Sequence, residues 1–147
     1  MNDNSITFTL IWCTIIFGFT SLSFFSGENT LSLLQNILRL EYNQAELLNT
    51  IIRKGAHICI FGLLAILIFL VLKRKHIALS WVITTTYALG DEYHQSLVPE
   101  RSGSFNDVLL DSFAAFSLLV LYNYYQKTAK KIIIGLWQIE LYEPLST

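Results

Sequence analysis

The sequence predicts an all-α integral membrane protein with four transmembrane helices and an amphipathic interfacial segment between the first two. Three observations carry that prediction. Hydrophobic residues make up 53% of the 147 positions, charged residues only 14%, and mean hydropathy is +0.49. A soluble domain carries about 25% charged residues. Apolar runs close to a bilayer's width recur along the chain, separated by short polar or basic breaks. Finally, five of the eleven carboxylates are gathered in one stretch, Asp91 to Asp111, between two such runs. The net charge of −1 leaves no basic footprint for nucleic acid. Cys13 and Cys59 both lie in apolar runs and read as small buried hydrophobes rather than as a disulfide or metal framework.

The first span is Ile6 to Phe25. It is free of charge, and about 20 residues at about 1.5 Å each cover a hydrocarbon core of roughly 30 Å. The residues before it hold Asp3 and no basic residue, so it reads as a retained helix rather than a signal peptide. Ser26-Gly27-Glu28-Asn29 is expected to end it. In residues 30–50, Leu31, Leu34, Ile37 and Leu38 follow helical spacing with Gln35, Asn36 and Arg39 between them. That pattern is too polar to span and predicts a helix lying at the membrane surface. Asn43 and Glu46 resemble a capping box opening a helix that can run through Arg53 into the second span, Gly55 to Leu72.

Lys73-Arg74-Lys75-His76 stops the second span. The third starts at Ile77. Its purely apolar part, to Gly90, is too short to cross, so the helix must continue to about Leu97 and carry Asp91, Glu92, His94 and Gln95 into the outer third of the bilayer. Pro99 ends it, and Arg101-Ser102-Gly103-Ser104 reads as a tight loop. Ser104 or Asn106 caps the fourth span, Asp107 to about Tyr125. Thr84, Thr85 and Thr86 are expected to bond between helices, and Tyr122 to Tyr125 to form an aromatic belt. Residues 1–131 are read as one domain. Residues 132–147 are read as a cytoplasmic or interfacial tail, its apolar part too short to span.

Four spans put both termini on one side, together with Lys73, Arg74, Lys75, Lys127, Lys130 and Lys131, six of the ten basic residues. The positive-inside rule then predicts N-in and C-in. Arg39, Arg53, Lys54 and Arg101 fall outside.

This topology brings three polar sets to the outer end of the bundle. Arg53 and Lys54 share a helix face with His57. Asp91, Glu92, His94 and Gln95 end the third span. Asp107 and Asp111 open the fourth. A charge at a helix centre costs about 2.5–3.5 kcal/mol on insertion scales, so these residues must pair or line a wet cavity. Intramembrane ionisable groups are functional candidates by default. The candidate catalytic residues are His57, Asp91, Glu92 and Asp107. Arg53, Lys54, His94, Gln95, Arg101 and Asp111 are candidates for binding.

The chemistry stays open at this level. His57, Asp91, Glu92, His94 and Asp107 are suitable ligands for a divalent metal, but there is no HExxH and no Cys/His ligand spacing. A carboxylate beside a histidine suits acid–base work. Arg53, Lys54 and Arg101 suit a phosphate or carboxylate. Equally, the cluster can be a network that only docks the helices. His57 alone can be a packing histidine, and His76, in its basic run, reads as a solvated boundary.

Two blocks of sequence resemble the VanZ-like family of small bacterial membrane proteins. One is Ile52-Arg53-Lys54-Gly55-Ala56-His57. The other is Asp91-Glu92-Tyr93-His94-Gln95, followed by Val98-Pro99, Arg101, Ser104 and Asp107-Val108-Leu109. Order and spacing agree across roughly residues 50 to 120. Departures are Glu100 where Gly is usual, Ile60 and Phe61 where Glu and Tyr often stand, Asp111 for Asn and Ala114 for Gly. The resemblance implies a four-helix protein of the bacterial cytoplasmic membrane. The family's namesake is linked to teicoplanin resistance, and no reaction follows from the name. Two readings result. In one, the protein binds or acts on a lipid-linked or anionic cell-envelope molecule. In the other, it is a non-enzymatic membrane protein whose polar cluster docks helices or a partner.

Overall fold

The computed structural model describes residues 3–22, 27–99, 101 and 103–142. Among them the chain forms five α-helices and no strand: α1 Asp3–Ser21, α2 Gly27–Leu38, α3 Tyr42–Val71, α4 Ile77–Gln95 and α5 Phe105–Tyr142. Among the described residues, three segments are long and apolar enough to cross a membrane: Asn4–Ser21, Tyr42–Val71 and Phe105–Ile134. The expectation of four such helices is therefore corrected to three. Helix α4 has the length, at 19 residues, but Asp91, Glu92, His94 and Gln95 crowd its last turn and lower its hydropathy. It packs against α1, α3 and α5 all the same.

Helix α3 is the spine of the bundle and touches each of the other four helices. Its 30 residues reach about 45 Å, well beyond a hydrocarbon core of roughly 30 Å. Counting about 20 residues back from Val71 arrives at Ile52, so Arg53 and Lys54 fall at the edge of the apolar layer. The expected capping box at Asn43 is not what starts this helix. Its N-cap is Glu41, without a side-chain cap bond, and the first main-chain bond runs from Ala45 N–H to the Glu41 carbonyl at 3.0 Å. At the other end Lys73 and Arg74 both take positive φ, and Arg74 N–H bonds back to the Phe69 carbonyl at 2.8 Å. That six-to-one bond closes the last turn.

The stretch expected to break after the first span instead opens α2, at Gly27; residues 23–26 lie outside the described residues. Helix α2 has no fully buried residue. It folds back on α3 through Thr30, whose hydroxyl donates to Asn49 Oδ1 at 2.7 Å, and through Asn49 Nδ2, which donates to the Gly27 carbonyl at 2.8 Å. Helix α5 runs through the basic stretch 126–131 without a break and ends only at Tyr142.

Two apolar clusters hold the bundle. Phe61, Leu64 and Ile68 of α3 meet Ile16 of α1 and Ala88 of α4. Ala65 and Phe69 meet Ala115 and Leu119 of α5. Gly62 lets α3 approach α5, since a Cβ there would run into the tip of Leu118. Most other large apolar side chains face outward, as a lipid-facing bundle requires.

Polar bonds add to this packing. Trp81 Nε1 donates to the Ser112 carbonyl at 3.1 Å, and Thr85 and Ser112 hydroxyls lie 2.9 Å apart. Of the three threonines expected to bond across helices, only Thr85 does so among the described residues. Thr84 and Thr86 bond to carbonyls one turn back, at Ser80 and Val82, because a threonine on a helix reaches its own i−4 carbonyl first. Of the expected aromatic belt, Tyr124 and Tyr125 are exposed, whereas Tyr122 turns inward, edge-on to Phe69 and under Arg74.

Candidate functional site

The polar residues of α3, α4 and α5 meet at one end of the bundle, below the loop that carries Arg101. Helix periodicity explains why. Asp91, Glu92 and Gln95 lie on the inward face of the last turn of α4, and all three are buried. Asp111, one turn into α5 from Asp107, is fully buried. His57 stands on the α3 face that meets them, with 20% of its side chain exposed.

Glu92 is held from two directions. Its Oε2 accepts the Ser104 main-chain N–H at 2.8 Å, and its Oε1 accepts from Gln95 Nε2 at 3.3 Å. Gln95 works as a hub, because Nε2 also donates to Asp91 Oδ2 at 2.9 Å while Oε1 accepts from Arg101 Nη1 at 3.1 Å. Arg101 Nη2 donates to the Phe19 carbonyl of α1 at 3.1 Å. Burial pulls the Arg101 guanidinium below its ordinary pKa. The nearby Arg53 charge pulls the same way, and Asp91 and Glu92 push back.

His57 Nδ1 lies 3.1 Å from Asp111 Oδ2. One ligand atom from each of His57, Glu92 and Asp111 falls within 4.8 Å of the others. Thus the metal-capable set assembled by the fold differs from the one expected. Asp91 is turned to Thr20 and Gln95. His94 stacks on Phe17 at 4.6 Å and lies 3.1 Å from the Ser21 hydroxyl. Asp107 lines a separate small cavity with Arg53, Lys54 and His57.

Helix α1 supplies partners that the sequence did not announce. Thr20 Oγ1 donates to Asp91 Oδ1 at 2.7 Å. Ser21 and the Phe19 carbonyl complete its contribution. Polar residues at the end of an apolar run are ordinary, so nothing marked these as part of a site. Gly103 is the other addition. A Cβ there would strike the Glu92 carbonyl oxygen, so only glycine lets the loop lie flat enough for Ser104 N–H to reach Glu92.

Arg53 and Arg101 together line two cavities, of about 460 and 320 Å³. The smaller one is also lined by the polar His57 and Gln95 and the apolar Phe19, Ile52 and Ile60. Gly27 of α2 lies against the Arg53 guanidinium. A larger groove of about 610 Å³ runs between α4 and α5 past Leu89, Tyr93 and Phe105. Its lining is mostly apolar, with Glu92, Ser96 and Ser104 among the polar residues. Lys54 is exposed. The arrangement can therefore hold an anion between two guanidiniums, and it keeps a histidine–carboxylate pair beside the same space.

No curated protein and no solved structure matches this chain. The family model described as VanZ/LLP1 matches residues 5–126, a span that includes every residue of the polar cluster, and with its apolar helices the chain is a membrane protein that belongs to the VanZ/LLP1 family.

Proposed function

We propose that the cavity between Arg53 and Arg101 binds the anionic headgroup of a lipid-linked cell-envelope molecule at the outer face of the bacterial cytoplasmic membrane. One observation carries the reading: two arginines from different elements line the same cavity, together with the apolar Phe19, Ile52, Ala56 and Ile60. Among the described residues Arg53 makes no hydrogen bond or ion pair, so its charge is available to a ligand. An anion seated there relieves the mutual repulsion of the two arginines and gains charge-assisted hydrogen bonds. The apolar residues of the same cavity, Phe19, Ile52, Ala56 and Ile60, suit the start of the attached chain.

The outward orientation rests on charge. Arg74 Nη1 bonds to Gln126 Oε1 at 3.3 Å, so the basic α3–α4 turn and the stretch leading to Lys127, Lys130 and Lys131 share one end. The positive-inside rule assigns that end to the cytoplasm. His57 lines the cavity with Asp111 behind it, and it is the group positioned to exchange a proton with a bound headgroup. Sequestering an envelope molecule would alter glycopeptide susceptibility, and teicoplanin tolerance in cells with and without the gene reads that effect.

The direct test is binding of a fluorescent polyprenyl phosphate to the purified chain in detergent. The expected result is saturable binding that the neutral polyprenol does not match. Arg53→Ala and Arg101→Ala should each weaken it about tenfold or more, since a charged hydrogen bond contributes about 1.5–3 kcal/mol. Equal binding of the neutral alcohol would sink the proposal.

A second reading has its own support. Both oxygens of Asp91 and both ends of the Gln95 amide are taken up by contacts among α1, α4 and the loop. Those residues then dock helices, and their loss should lower stability without a separate effect on binding.

A further inference from the structure

We propose that His57, Glu92 and Asp111 form a binding site for one divalent first-row transition ion, of the Zn²⁺ or Mn²⁺ class. The proposal goes beyond the anion cavity and stands without it.

Each ligand comes from a different helix, α3, α4 and α5, and their ligand atoms lie within 4.8 Å of one another. His57 Nδ1 and Asp111 Oδ2 are 3.1 Å apart. Two atoms bound to one ion at about 2.0–2.2 Å, roughly at right angles, have about that separation. Glu92 supplies the third ligand atom within the same 4.8 Å.

A second observation points to a ligand. Asp111 has no exposed surface. While its Oδ2 faces His57, its Oδ1 is buried without a hydrogen-bond partner among the described residues. A buried carboxylate oxygen left unsatisfied is costly, and a cation beside it removes that cost. Charge gives the same answer. Glu92 and Asp111 are two buried carboxylates on helices of a membrane protein, and with a neutral imidazole a divalent ion balances them.

The surroundings suit a metal centre. Ser104 N–H and Gln95 Nε2 fix the two oxygens of Glu92, the kind of outer contact that orients a ligand. One imidazole with two carboxylates is a mixed donor set that favours Zn²⁺ or Mn²⁺ over the all-oxygen sites of Mg²⁺ and Ca²⁺. His57 also opens onto the small cavity beside Asp107, about 110 Å³, which gives room for water as a further ligand.

The experiment titrates Zn²⁺ and Mn²⁺, with Mg²⁺ and Ca²⁺ alongside, into the full chain purified in detergent and stripped with chelator. The expected result is one transition ion per chain. Asp111→Asn and Glu92→Gln should each weaken it at least about tenfold while circular dichroism shows the helices intact. His76→Ala, at the far end of the bundle, should leave it unchanged. X-ray absorption of the Zn²⁺-loaded wild-type chain supplies a readout that does not depend on any variant folding: it should show one imidazole nitrogen with oxygen neighbours. No stoichiometric binding, a sulfur neighbour from Cys13 or Cys59, or unchanged affinity in folded Asp111→Asn and Glu92→Gln would each overturn the proposal.

Discussion

Gly103 lies against the main-chain carbonyl oxygen of Glu92, with no room between them for a side chain. The contact joins the loop after α4 to the last turn of α4, and it sets Ser104 N–H on the Glu92 carboxylate at 2.8 Å. Gly103→Ala forces main chain against main chain, so the loop must move and that bond is lost. The expected cost is about 1–3 kcal/mol, the scale of a buried acceptor left unpaired. Thermal unfolding in detergent reads the loss. A fully stable Gly103→Ala protein would contradict the contact.

Gly62 makes a useful contrast. The atom a Cβ would meet there is the tip of Leu118, which can change rotamer. Gly62→Ala should cost less than Gly103→Ala, because the gain of about 1 kcal/mol in helix propensity offsets part of the overpacking. Measured side by side, the two variants should separate by melting temperature in that order.

His57 and Asp111 should be coupled energetically. Asp111→Ala leaves the histidine without its 3.1 Å partner, and His57→Ala leaves a fully buried carboxylate. A double-mutant cycle in chelator-treated detergent should give a coupling of about 0.6–1.7 kcal/mol, the range such cycles give for hydrogen bonds between membrane helices. Additive losses would mean that the pair does not interact.

Thr20→Val keeps the shape of the side chain and removes the hydroxyl that donates to Asp91 at 2.7 Å. The expected loss is about 0.6–1.7 kcal/mol, and the α1–α4 contact should loosen. Hydrogen exchange of the α1 C-terminal turn is the sensitive measurement, and protection there should fall more than in α3.

Arg101→Lys should not be neutral. Two guanidinium nitrogens serve different acceptors, Gln95 Oε1 and the Phe19 carbonyl, and a single ammonium cannot reproduce that fork. The variant should bind a polyprenyl phosphate more weakly and melt earlier than wild type. Equal melting and equal affinity would show that charge alone matters at this position.

The polar cluster was partly legible in the sequence. Asp91, Glu92 and Gln95 share one helix face by spacing, and His57 and Asp111 stand one helix turn from Arg53 and Asp107 respectively, so periodicity alone predicts that they can turn inward. Partner choice was not legible. Asp91 looked like a candidate ligand and is occupied by Thr20, 71 residues away, while Asp111, read as a binding candidate and not as a metal ligand, lies beside His57 and Glu92. Such pairings depend on how each helix is rotated about its axis. That rotation depends on interhelix packing such as that at Gly62, Phe61 and Ala115, not on any local pattern.

What the sequence determined by itself is what local chemistry controls. Runs of apolar residues of bilayer length, and helical spacing between polar residues, mark helices and their inward faces because backbone groups in lipid must bond within the segment. The number of helices apolar enough to span was overestimated because α4 is apolar only over its first part. The tertiary structure alone decided that α1 closes over Asp91, that the Arg101 loop lies flat on Glu92, and that His57, Glu92 and Asp111 share one small volume. Those are contacts between helices distant in the chain, and their energies exist only once the helices have met.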